Sequence, residues 1–446
     1  MDRTEAVAKI GKSWDQFSAC FDEVHDTEDI AAWKETLKEL LGQDTRKNVL
    51  DLGTGTGFLA NMTGELGYPT VGVDVSREMM KYGVRHGYRR NSGVTYMYGD
   101  VLELPMLDES VDNIINARLI WTLVEPEAAL QEWFRVLRAG GKLFCFNRMQ
   151  EGVGLIRYTE TPFYGSQEID DMLTIQAASM EELTSLLERA GFVNIEIRKL
   201  SGLTRPEYEY DPWFVLCGEK PKTTRDITSE AMSCYWDKRA ESYEPDHALM
   251  NSQAWDEAVR KLLGHNMEQS ILDIAAGTGM LTIMMGKAGY KNVCGGDISE
   301  GMMHIAIRHA KEENLDIPFI YANALKLPYE DNSLDTVISM RLLWTLAEPE
   351  TAIREWLRVL KPGGRIIAIN ELEEFGIPDF IGEKGCYIGE EIPVAQFGFS
   401  NASKVEILET FKKAGAENAE LIHMDGCCSK ESARENWYAF AGTKSR

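Results

Sequence analysis

The chain has 446 residues and a formal net charge of −24, so it is long enough for two or three domains and strongly acidic. An acidic surface repels phosphate groups, which disfavours nucleic acids and anionic membrane surfaces as partners. No apolar run reaches the roughly 18–20 residues that cross a bilayer. The first residues also lack the basic and then apolar pattern of a secretory signal. These features predict a cytoplasmic protein without a membrane partner.

The cysteines are spaced irregularly along the chain and form no C-x-x-C pair. Several stand in apolar, strand-like runs, for example Cys145 between two phenylalanines. This usage predicts free, buried thiols in a reducing compartment rather than disulfides or a zinc site, and we expect no metal ion.

An internal duplication organises the sequence. Trp14-Asp15 recurs as Trp236-Asp237, and later Arg118-Leu-Ile-Trp-Thr-Leu recurs as Arg341-Leu-Leu-Trp-Thr-Leu. A repeat of this length is a duplicated domain rather than a solenoid. The polar stretch that begins at Glu219 marks the junction, so the sequence predicts an N-terminal domain over residues 1–222 and a C-terminal domain over 223–446.

Within the first copy, helix and strand patterns alternate in chain order. Apolar residues from Ile30 to Leu41 recur at helical spacing and stop at Gly42. A helix is predicted over 127–137, and Ser179-x-x-Glu182 predicts a capping box that opens a later helix, as Ser403-x-x-Glu406 does in the second copy. The predicted strands are residues 48–52, 70–74, 94–98, 111–115 and 142–146, followed by two β-rich runs that end at Trp213-Phe-Val-Leu and, in the second copy, at Trp437-Tyr-Ala-Phe. Such alternation predicts a mostly parallel sheet covered by helices, an α/β fold.

A glycine-rich turn follows the first predicted strand, reading Asp51-Leu-Gly53-Thr-Gly55-Thr-Gly57. Glycines allow a sharp strand-to-helix turn and the close approach of a ligand. A turn of this kind without any ligand is one interpretation. A nicotinamide-dependent oxidoreductase is another, but its fingerprint is G-x-G-x-x-G, whereas the spacing here is G-x-G-x-G.

The motif order of this copy resembles that of class I S-adenosylmethionine-dependent methyltransferases, notably the ubiquinone/menaquinone type. The resemblance is carried by the Asp51 turn, Val73-Asp74, Tyr98-Gly-Asp100, Val111-Asp-Asn-Ile-Ile-Asn-Ala-Arg118, and Arg135-Val-Leu-Arg-Ala-Gly-Gly141. It implies a doubly wound, Rossmann-like sheet of seven strands with helices on both faces in each copy. It also implies S-adenosylmethionine as cofactor, with the ribose on an acid after the second strand and the adenine amino group on an acid after the third. The cofactor-binding residues that it implies here are Asp51, Gly53, Gly55, Gly57, Asp74, Val75, Asp100, Val101 and Ala117.

The second copy repeats these motifs with substitutions. Alanine replaces the first glycine at Ala275, which is tolerable if its φ stays negative, and Asn323 replaces the adenine acid. An asparagine side chain still accepts a hydrogen bond, although without charge. The implied cofactor-binding residues are Asp273, Ala275, Gly277, Gly279, Asp297, Ile298, Asn323, Ala324 and Met340.

An aromatic segment precedes each glycine turn and resembles the lid of small-molecule methyltransferases. It implies cofactor contacts from Trp14 and Phe21 in the first copy and from Trp236 and Tyr243 in the second. An amphipathic helix packed on the core is the alternative. The remaining tryptophans of the motif region are expected in the core, namely Trp121, Trp133, Trp344 and Trp356.

Four residues are candidates for catalysis. His25 and His247 follow the aromatic segments, where a histidine could serve as a general base or contact the substrate, or stand in the core or on the surface. Arg118 and Arg341 end the fourth strand, where they could clamp a carboxylate of the substrate or cofactor, or form a structural salt bridge.

The two copies differ most over residues 149–178 and 372–402, which are rich in aromatic residues. The resemblance implies that these insertions help to form the acceptor pocket. We expect methyl transfer to an O, N or S atom of a small molecule at both copies. The alternative is one catalytic copy beside a binding copy. Because single-domain relatives pair with themselves, we also expect a pseudo-dimer within one chain and a monomer in solution.

Overall fold

The computed structural model describes residues 1–155, 164–208, 212–243, 252–372, 399, 402–427 and 437–446. The chain divides into two compact units, Met1–Thr223 and Thr224–Arg446. His247 and most of the second insertion lie outside the described residues, as does part of the first.

The N-terminal unit alternates helices and strands, as its sequence pattern predicts. Its helices are α1 (Arg3–Phe17), α2 (Ile30–Leu41), α3 (Phe58–Glu65), α4 (Arg77–Arg90), α5 (Pro126–Val136), α6 (Gln167–Met172) and α7 (Met180–Ala190), with short 3-10 turns at Phe21–His25 and Ile120–Thr122. Its strands are β1 (Val49–Leu52), β2 (Thr70–Asp74), β3 (Thr95–Tyr98), β4 (Val111–Ala117), β5 (Leu137–Gln150), β6 (Gly154–Leu155), β7 (Val193–Lys199) and β8 (Trp213–Glu219).

The N-terminal sheet has the order β3-β2-β1-β4-β5-β8-β7, with the two-residue β6 paired to β5. Strands β1 to β5 pair in parallel, whereas β8 pairs antiparallel with β5 and β7. The predicted seven-stranded, mostly parallel sheet is therefore confirmed, with β6 as an addition. The order reverses beside β1, whose neighbours are β2 and β4, and an open sheet forms its ligand crevice at such a reversal.

The C-terminal unit repeats this plan. Its helices are α8 (Thr224–Arg239), α9 (Ser252–Leu263), α10 (Met280–Lys287), α11 (Glu300–Glu312), α12 (Pro349–Val359) and α13 (Lys404–Ala414), with 3-10 turns at Ala240–Ser242 and Leu343–Thr345. Its strands are β9 (Ser270–Ile274), β10 (Asn292–Asp297), β11 (Phe319–Tyr321), β12 (Leu334–Met340), β13 (Leu360–Glu371), β14 (Glu417–His423) and β15 (Trp437–Thr443). They form a seven-stranded sheet in the order β11-β10-β9-β12-β13-β15-β14.

Local signals fix where several helices begin and end. The Asp29 side chain accepts hydrogen bonds from the first turn of α2, and Gly42 ends that helix with a φ of 84°. Both predicted capping boxes are confirmed, with Ser179 and Ser403 each paired reciprocally with a glutamate three residues later. Helix α5 ends one residue earlier than predicted, because Leu137 already pairs with Val111 in the sheet.

Helices cover both faces of the N-terminal sheet, and alternate strand residues therefore point into two cores. Cys145 of β5 lies in one core with residues of α1, α5 and α7. Its neighbours Phe144 and Phe146 lie in the other core with residues of α2 and α3. Trp133 and its counterpart Trp356 are fully buried, as predicted.

One sequence expectation needs correction at this level. Cys20 and Cys234 are exposed, so the free thiols are not all buried, because both stand on or beside helices outside the strands. Trp121 and Trp344 belong to 3-10 turns at the edge of the sheet, where each packs against the core of its domain, as predicted, and also lines a cleft. Of the described helices, none is both long and apolar enough to cross a membrane.

Candidate active sites

A cleft of about 1420 Å³ opens at the carboxyl ends of β1, β2 and β4 in the N-terminal domain. Parallel strands end at one edge of the sheet, so residues that are distant in sequence meet there. Helix α1 and the turn after it form one wall of the cleft. The lining combines predicted cofactor residues with apolar side chains, and includes Trp14, Phe21, Gly53, Gly55, Asp74, Val75, Asp100, Val101, Ala117, Arg118, Leu119, Trp121 and Leu123.

The carboxyl ends of β9, β10 and β12 form a second cleft, of about 860 Å³, in the C-terminal domain. Its lining contains the counterpart of nearly every residue in the first cleft, including Trp236, Tyr243, Ala275, Gly277, Asp297, Ile298, Asn323, Ala324, Met340, Arg341 and Trp344. The duplication seen in the sequence therefore extends to the three-dimensional site.

Asp74 ends β2 and connects the strand to the glycine turn. Its Oδ2 accepts a hydrogen bond from Gly55 N at 2.8 Å, and its Oδ1 accepts one from Ser76 N at 2.7 Å. An ionised carboxylate has about four acceptor positions, so the Asp74 carboxylate keeps acceptor capacity for a ligand hydroxyl. Burial raises the pKa of the Asp74 carboxyl to about 6 despite these hydrogen bonds, with a smaller contribution from Asp15.

Asp297 repeats this geometry in the C-terminal domain. Its carboxylate accepts from Gly277 N and from Ser299 N, both at 2.8 Å. Burial likewise raises its pKa to about 6. Both clefts thus present a buried carboxylate with free acceptor positions, an arrangement that suits two neighbouring hydroxyl groups on a ribose.

Asp51 and Asp273 begin the glycine turns but do not line the clefts. Asp51 Oδ2 accepts from Thr54 Oγ1 at 2.7 Å and from Ala60 N at 3.0 Å, which ties the turn to the first turn of α3. Asp273 Oδ2 accepts instead from Thr282 Oγ1 at 2.6 Å. Burial raises the pKa of both carboxyls to about 7. These aspartates position the turn, while the cleft itself is formed by the residues that follow them.

The hydroxyl group that serves this aspartate has changed position between the copies. The N-terminal domain has Thr54 in the turn and Ala60 in the helix, whereas the C-terminal domain has Ala276 and Thr282 at the matching positions. Each domain therefore retains one hydroxyl donor to its buried aspartate, and the two exchanges compensate for each other.

The glycine turn leaves room for a ligand in the N-terminal domain. A Cβ on Gly55 would meet only the ring of Phe21, at 3.5 Å, whereas a Cβ on Gly53 would lie 2.7 Å from Leu119 Cδ1. Gly57 also has a positive φ but does not line the cleft, because it caps α3; Gly279 does the same for α10.

Ala275 contradicts one sequence expectation. We expected its φ to stay negative, but its φ is 60°, the same as that of Gly53. A non-glycine residue in this left-handed region costs roughly 1 kcal/mol or more. The C-terminal domain therefore keeps the backbone of the turn and accepts strain that the glycine avoids.

The residues after the third strand are those predicted to contact adenine. Asp100 Oδ1 accepts from Leu102 N at 2.9 Å, and Oδ2 makes no hydrogen bond within the described residues. Asn323 Oδ1 accepts from Leu325 N at 2.9 Å in the same way, but its Nδ2 donates to Ser229 Oγ of α8 at 3.0 Å. The C-terminal subsite thus presents a neutral amide oxygen where the N-terminal subsite presents a carboxylate.

Helix α1 is anchored at both ends beside the cleft. Near its carboxyl end, Asp15 Oδ1 accepts from Ser76 Oγ at 2.6 Å and from Glu78 N at 3.1 Å, at the start of α4. At its amino end, Arg3 lies 3.9 Å from Glu125 at the start of α5. Between these anchors, Trp14 packs edge to face against Phe21, with ring centroids 5.7 Å apart.

Helix α8 has the same two anchors in the C-terminal domain. Asp237 Oδ1 accepts from Ser299 Oγ at 2.6 Å and from Gly301 N at 2.9 Å, and Arg225 Nε donates to Glu348 at 2.8 Å. Trp236 packs edge to face on Tyr243 at 5.7 Å. The sequence marked Trp14-Asp15 only as part of the repeat, so the anchoring role of the aspartate was missed. Its recurrence beside the repeated tryptophan was the available signal.

Arg118 lines the N-terminal cleft but is already paired. Its Nη2 donates to Glu28 Oε1 at 2.7 Å, and its guanidinium lies 4.5 Å from the centroid of the Trp213 ring. The Glu28 side chain is only 3 % exposed and also accepts from Trp33 Nε1 at 3.0 Å. Sequence reasoning missed Glu28, which is 90 residues from Arg118 and has no motif around it.

Arg341 occupies the matching place in the C-terminal cleft with a looser partner. Its Nη2 lies 3.9 Å from Glu371 Oε2, beyond hydrogen-bonding distance, and its guanidinium lies 5.1 Å from the Trp437 ring centroid. Arg118 and Arg341 share a strained backbone, with φ values of 60° and 58°. Such strain at matching positions is typical of functional sites.

His25 lies behind the N-terminal cleft and does not line it. Its ring stacks on Phe58 with centroids 3.9 Å apart, and Nδ1 lies 3.5 Å from Arg118 Nη1. Burial, assisted by Arg118, lowers the pKa of His25 to about 3, so the ring is neutral at physiological pH and is a weak base. A catalytic role for His25 stays a prediction that these surroundings do not favour.

Comparison with known proteins agrees with this geometry. The sequence profile described as "Methyltransferase domain" matches residues 50–145 and 272–368, once in each domain. A demethylmenaquinone methyltransferase from Clavibacter sepedonicus is 34 % identical over 194 residues, which is 43 % of this chain and 78 % of that protein. The enzyme of that name from Listeria monocytogenes is 31 % identical over 216 residues, covering 42 % of this chain and 90 % of its own.

Among solved structures, phosphoethanolamine N-methyltransferase 2 of Haemonchus contortus, in complex with S-adenosyl-L-methionine, is similar over 93 % of this chain and 99 % of that one. The sequence identity is 15 % and the TM-score is 0.42.

The fold, the two clefts and the sequence relatives define a class of enzyme. The chain belongs to the S-adenosylmethionine-dependent methyltransferase family and carries two tandem copies of its domain. It is a methyltransferase, and its cofactor is S-adenosylmethionine.

Proposed function

We propose that both domains bind S-adenosylmethionine and transfer its methyl group to an O, N or S atom of a small molecule. One observation carries this proposal. Asp74 and Asp297 adopt the same geometry, each bonded to a glycine of the turn and each retaining acceptor positions toward its cleft. A copy that had lost the cofactor would have no need to keep a costly buried carboxylate in that place.

The residues of each cleft fit the parts of this cofactor. Asp74 and Asp297 would accept hydrogen bonds from the ribose, and Asp100 and Asn323 would accept from the adenine amino group. The open face of the turn at Gly55 would contact the methionine end. The cofactor would supply an electrophilic methyl group on its sulfonium, and S-adenosylhomocysteine would leave as a neutral thioether when that methyl group bonds to the acceptor. The chain therefore needs only to hold the acceptor in line with that methyl group and to exclude water.

The acceptor of the N-terminal domain is proposed to be flat and apolar. Its cleft is walled by Trp14, Phe17, Phe21, Leu119 and Trp121. The sequence relatives are named for demethylmenaquinone, whose name indicates a quinone-type ring. Of the catalytic candidates, Arg118 and Arg341 line the clefts and could position the acceptor.

The second candidate function is one catalytic domain beside a copy that only binds. Two features favour the C-terminal domain as that weaker copy. Ala275 carries strain in the turn, and Asn323 offers the adenine amino group a neutral amide oxygen where Asp100 offers a carboxylate. Both would lower the affinity for cofactor without abolishing the site.

Calorimetric titration with S-adenosylhomocysteine tests the proposal. We expect two sites per chain in the wild type and one in each of the matched variants Asp74→Ala and Asp297→Ala. Each lost hydrogen bond to a carboxylate is worth about 1.5–3 kcal/mol, so the altered site should become too weak to detect.

Transfer of a labelled methyl group by each single-site variant then shows which domain is catalytic. Activity in both variants supports the proposal, and activity in only one establishes the second candidate. A wild-type stoichiometry of one would contradict two cofactor sites.

A further inference from the structure

The arginine at the end of the fourth strand has different surroundings in the two domains. Arg118 and Arg341 share a positive φ, a place on the cleft and a tryptophan ring beneath the guanidinium. The fold therefore places the two arginines in the same position, and they differ in their partners. The partners determine how many N–H donors the guanidinium has available for a ligand.

In the N-terminal domain the charge of Arg118 is neutralised within the protein. Glu28 is almost wholly buried and accepts from the guanidinium at 2.7 Å. A buried charge-assisted hydrogen bond of this length is strong, and breaking it would leave Glu28 without a counter-ion. An anionic ligand would have to compete with this carboxylate.

The C-terminal domain lacks that carboxylate. Residue 250, which matches Glu28 in the repeat, is methionine in the sequence. Trp255 matches Trp33, and its indole donates to the carbonyl oxygen of Cys427 at 2.9 Å instead of to a glutamate. The difference between the domains therefore involves more than one residue, because the tryptophan that matches Trp33 donates to a different acceptor.

Among the described residues, the carboxylate nearest to the Arg341 guanidinium is a distant one. Glu371 is 3.9 Å away, and the guanidinium donates no hydrogen bond within the part of the chain that the structure describes. The side chain is 22 % exposed and lines the cleft beside Ala275 and Tyr243. A partly desolvated guanidinium with free donors is suited to a planar carboxylate or to a phosphate group.

We propose that the C-terminal domain methylates an anionic acceptor, a carboxylate or phosphate monoester that Arg341 binds, and that the N-terminal domain takes an uncharged one. This inference rests on the proposed function, in which both domains bind the same cofactor. In the proposed function the N-terminal cleft binds the cofactor while its arginine is paired with Glu28, so cofactor binding does not require an unpaired arginine. The arginine of the C-terminal cleft is therefore assigned to the other ligand, the acceptor.

Ligand-observed NMR on the full chain saturated with S-adenosylhomocysteine tests this. The probes are benzoate, followed by its proton signals, and inorganic phosphate, followed by its phosphorus signal. We expect at least one probe to bind the wild type and Arg341→Gln to weaken that binding at least about tenfold, the loss of a charged hydrogen bond. Arg341→Lys should retain part of the affinity, because it keeps the charge without the planar fork.

The matched control is the pair Arg118→Gln with Glu28→Gln, which removes the equivalent arginine without leaving a buried charge. It should leave probe binding unchanged. Two sites for S-adenosylhomocysteine in Arg341→Gln show that the variant is folded. A wild-type count of one would instead defeat the proposed function before any probe is added.

Three results would overturn the inference. Neither probe binds the wild type, or both bind Arg341→Gln as well as the wild type. The third concerns the affinity for cofactor analogues, measured in an Asp74→Ala background, in which only the C-terminal site binds cofactor. If Arg341→Gln weakens S-adenosylhomocysteine but not 5′-methylthioadenosine, which lacks the carboxylate, the arginine serves the cofactor and not the acceptor.

Discussion

Buried carboxylates at the strand ends dominate the chemistry of both clefts at the scale of single residues. Asp74 and Asp297 have pKa values raised to about 6 by burial, which is above the ordinary value of 3.8. A group whose pKa is raised on folding binds more protons in the folded chain. Its contribution to stability therefore falls as pH rises from about 4 to about 6, and the ionised form remains costly above that range. Hydrogen bonds from a ribose would offset this cost.

The affinity for cofactor should consequently increase with pH over the range in which the stability contribution of this carboxyl decreases. Hydroxyl donors favour the ionised carboxylate, so the affinity for S-adenosylhomocysteine should fall as pH drops below about 6, by up to about tenfold per pH unit. Calorimetry on Asp297→Ala, which leaves the N-terminal site, measures this between about pH 5 and pH 7.5. Adding Asp74→Asn should weaken binding and remove the slope. A flat profile with Asp74 present would show that its carboxylate does not bind the ribose.

At the scale of elements, the first helix of each domain connects three parts of the cleft. Helix α1 carries Trp14 on the cleft wall, and Asp15 fixes it to the start of α4, where Ser76 also caps the helix. The aspartate is thus the second acceptor at that helix terminus, where N–H groups lack partners within the helix. The end of β2, which carries Asp74, and helix α1, which carries Trp14, are therefore both hydrogen-bonded to the start of α4.

Releasing that anchor should speed the escape of cofactor. Asp15→Ala removes two hydrogen bonds to the start of α4, and we expect S-adenosylhomocysteine to leave the N-terminal site roughly 3- to 10-fold faster, with a small effect on association. Stopped-flow dissociation in an Asp297→Ala background measures the rate. Lys9→Ala on the same helix is the control, since the Lys9 side chain pairs, within the described part of the chain, only with Glu5 on the surface. Equal rates in the two variants would show that the anchor does not retain the cofactor.

For the whole molecule, two domains of one kind in one chain predict a monomer. The duplication already supplies a second copy of the domain within the chain at high effective concentration, so a second chain is not needed to provide one. The net charge of −24 also opposes the association of further copies. Light scattering after size exclusion should give a mass near 50.3 kDa. A mass near twice that value at micromolar concentration would contradict the prediction.

The sequence alone determined the repeat, the order of strands and helices, and the family. These features are local: the periodicity of apolar residues, Gly42 after α2, the capping boxes at Ser179 and Ser403, and a glycine turn whose backbone needs positive φ. Where the sequence expectation was wrong, at Ala275, the turn imposed its φ of 60° on a residue that disfavours it. The fold outweighed a local preference of roughly 1 kcal/mol.

Only the tertiary structure decided how the side chains of the two clefts are partnered. Asp15 meets Ser76 across 61 residues and Glu28 meets Arg118 across 90, and no periodicity records such pairs. The two arginines have the same motif around them, yet Arg118 forms a close, buried ion pair at 2.7 Å and Arg341 a looser, less buried one at 3.9 Å. The reason is physical. Motifs fix the backbone at a strand end. Whether the charge of a side chain there is neutralised depends on which distant residue the fold packs against it.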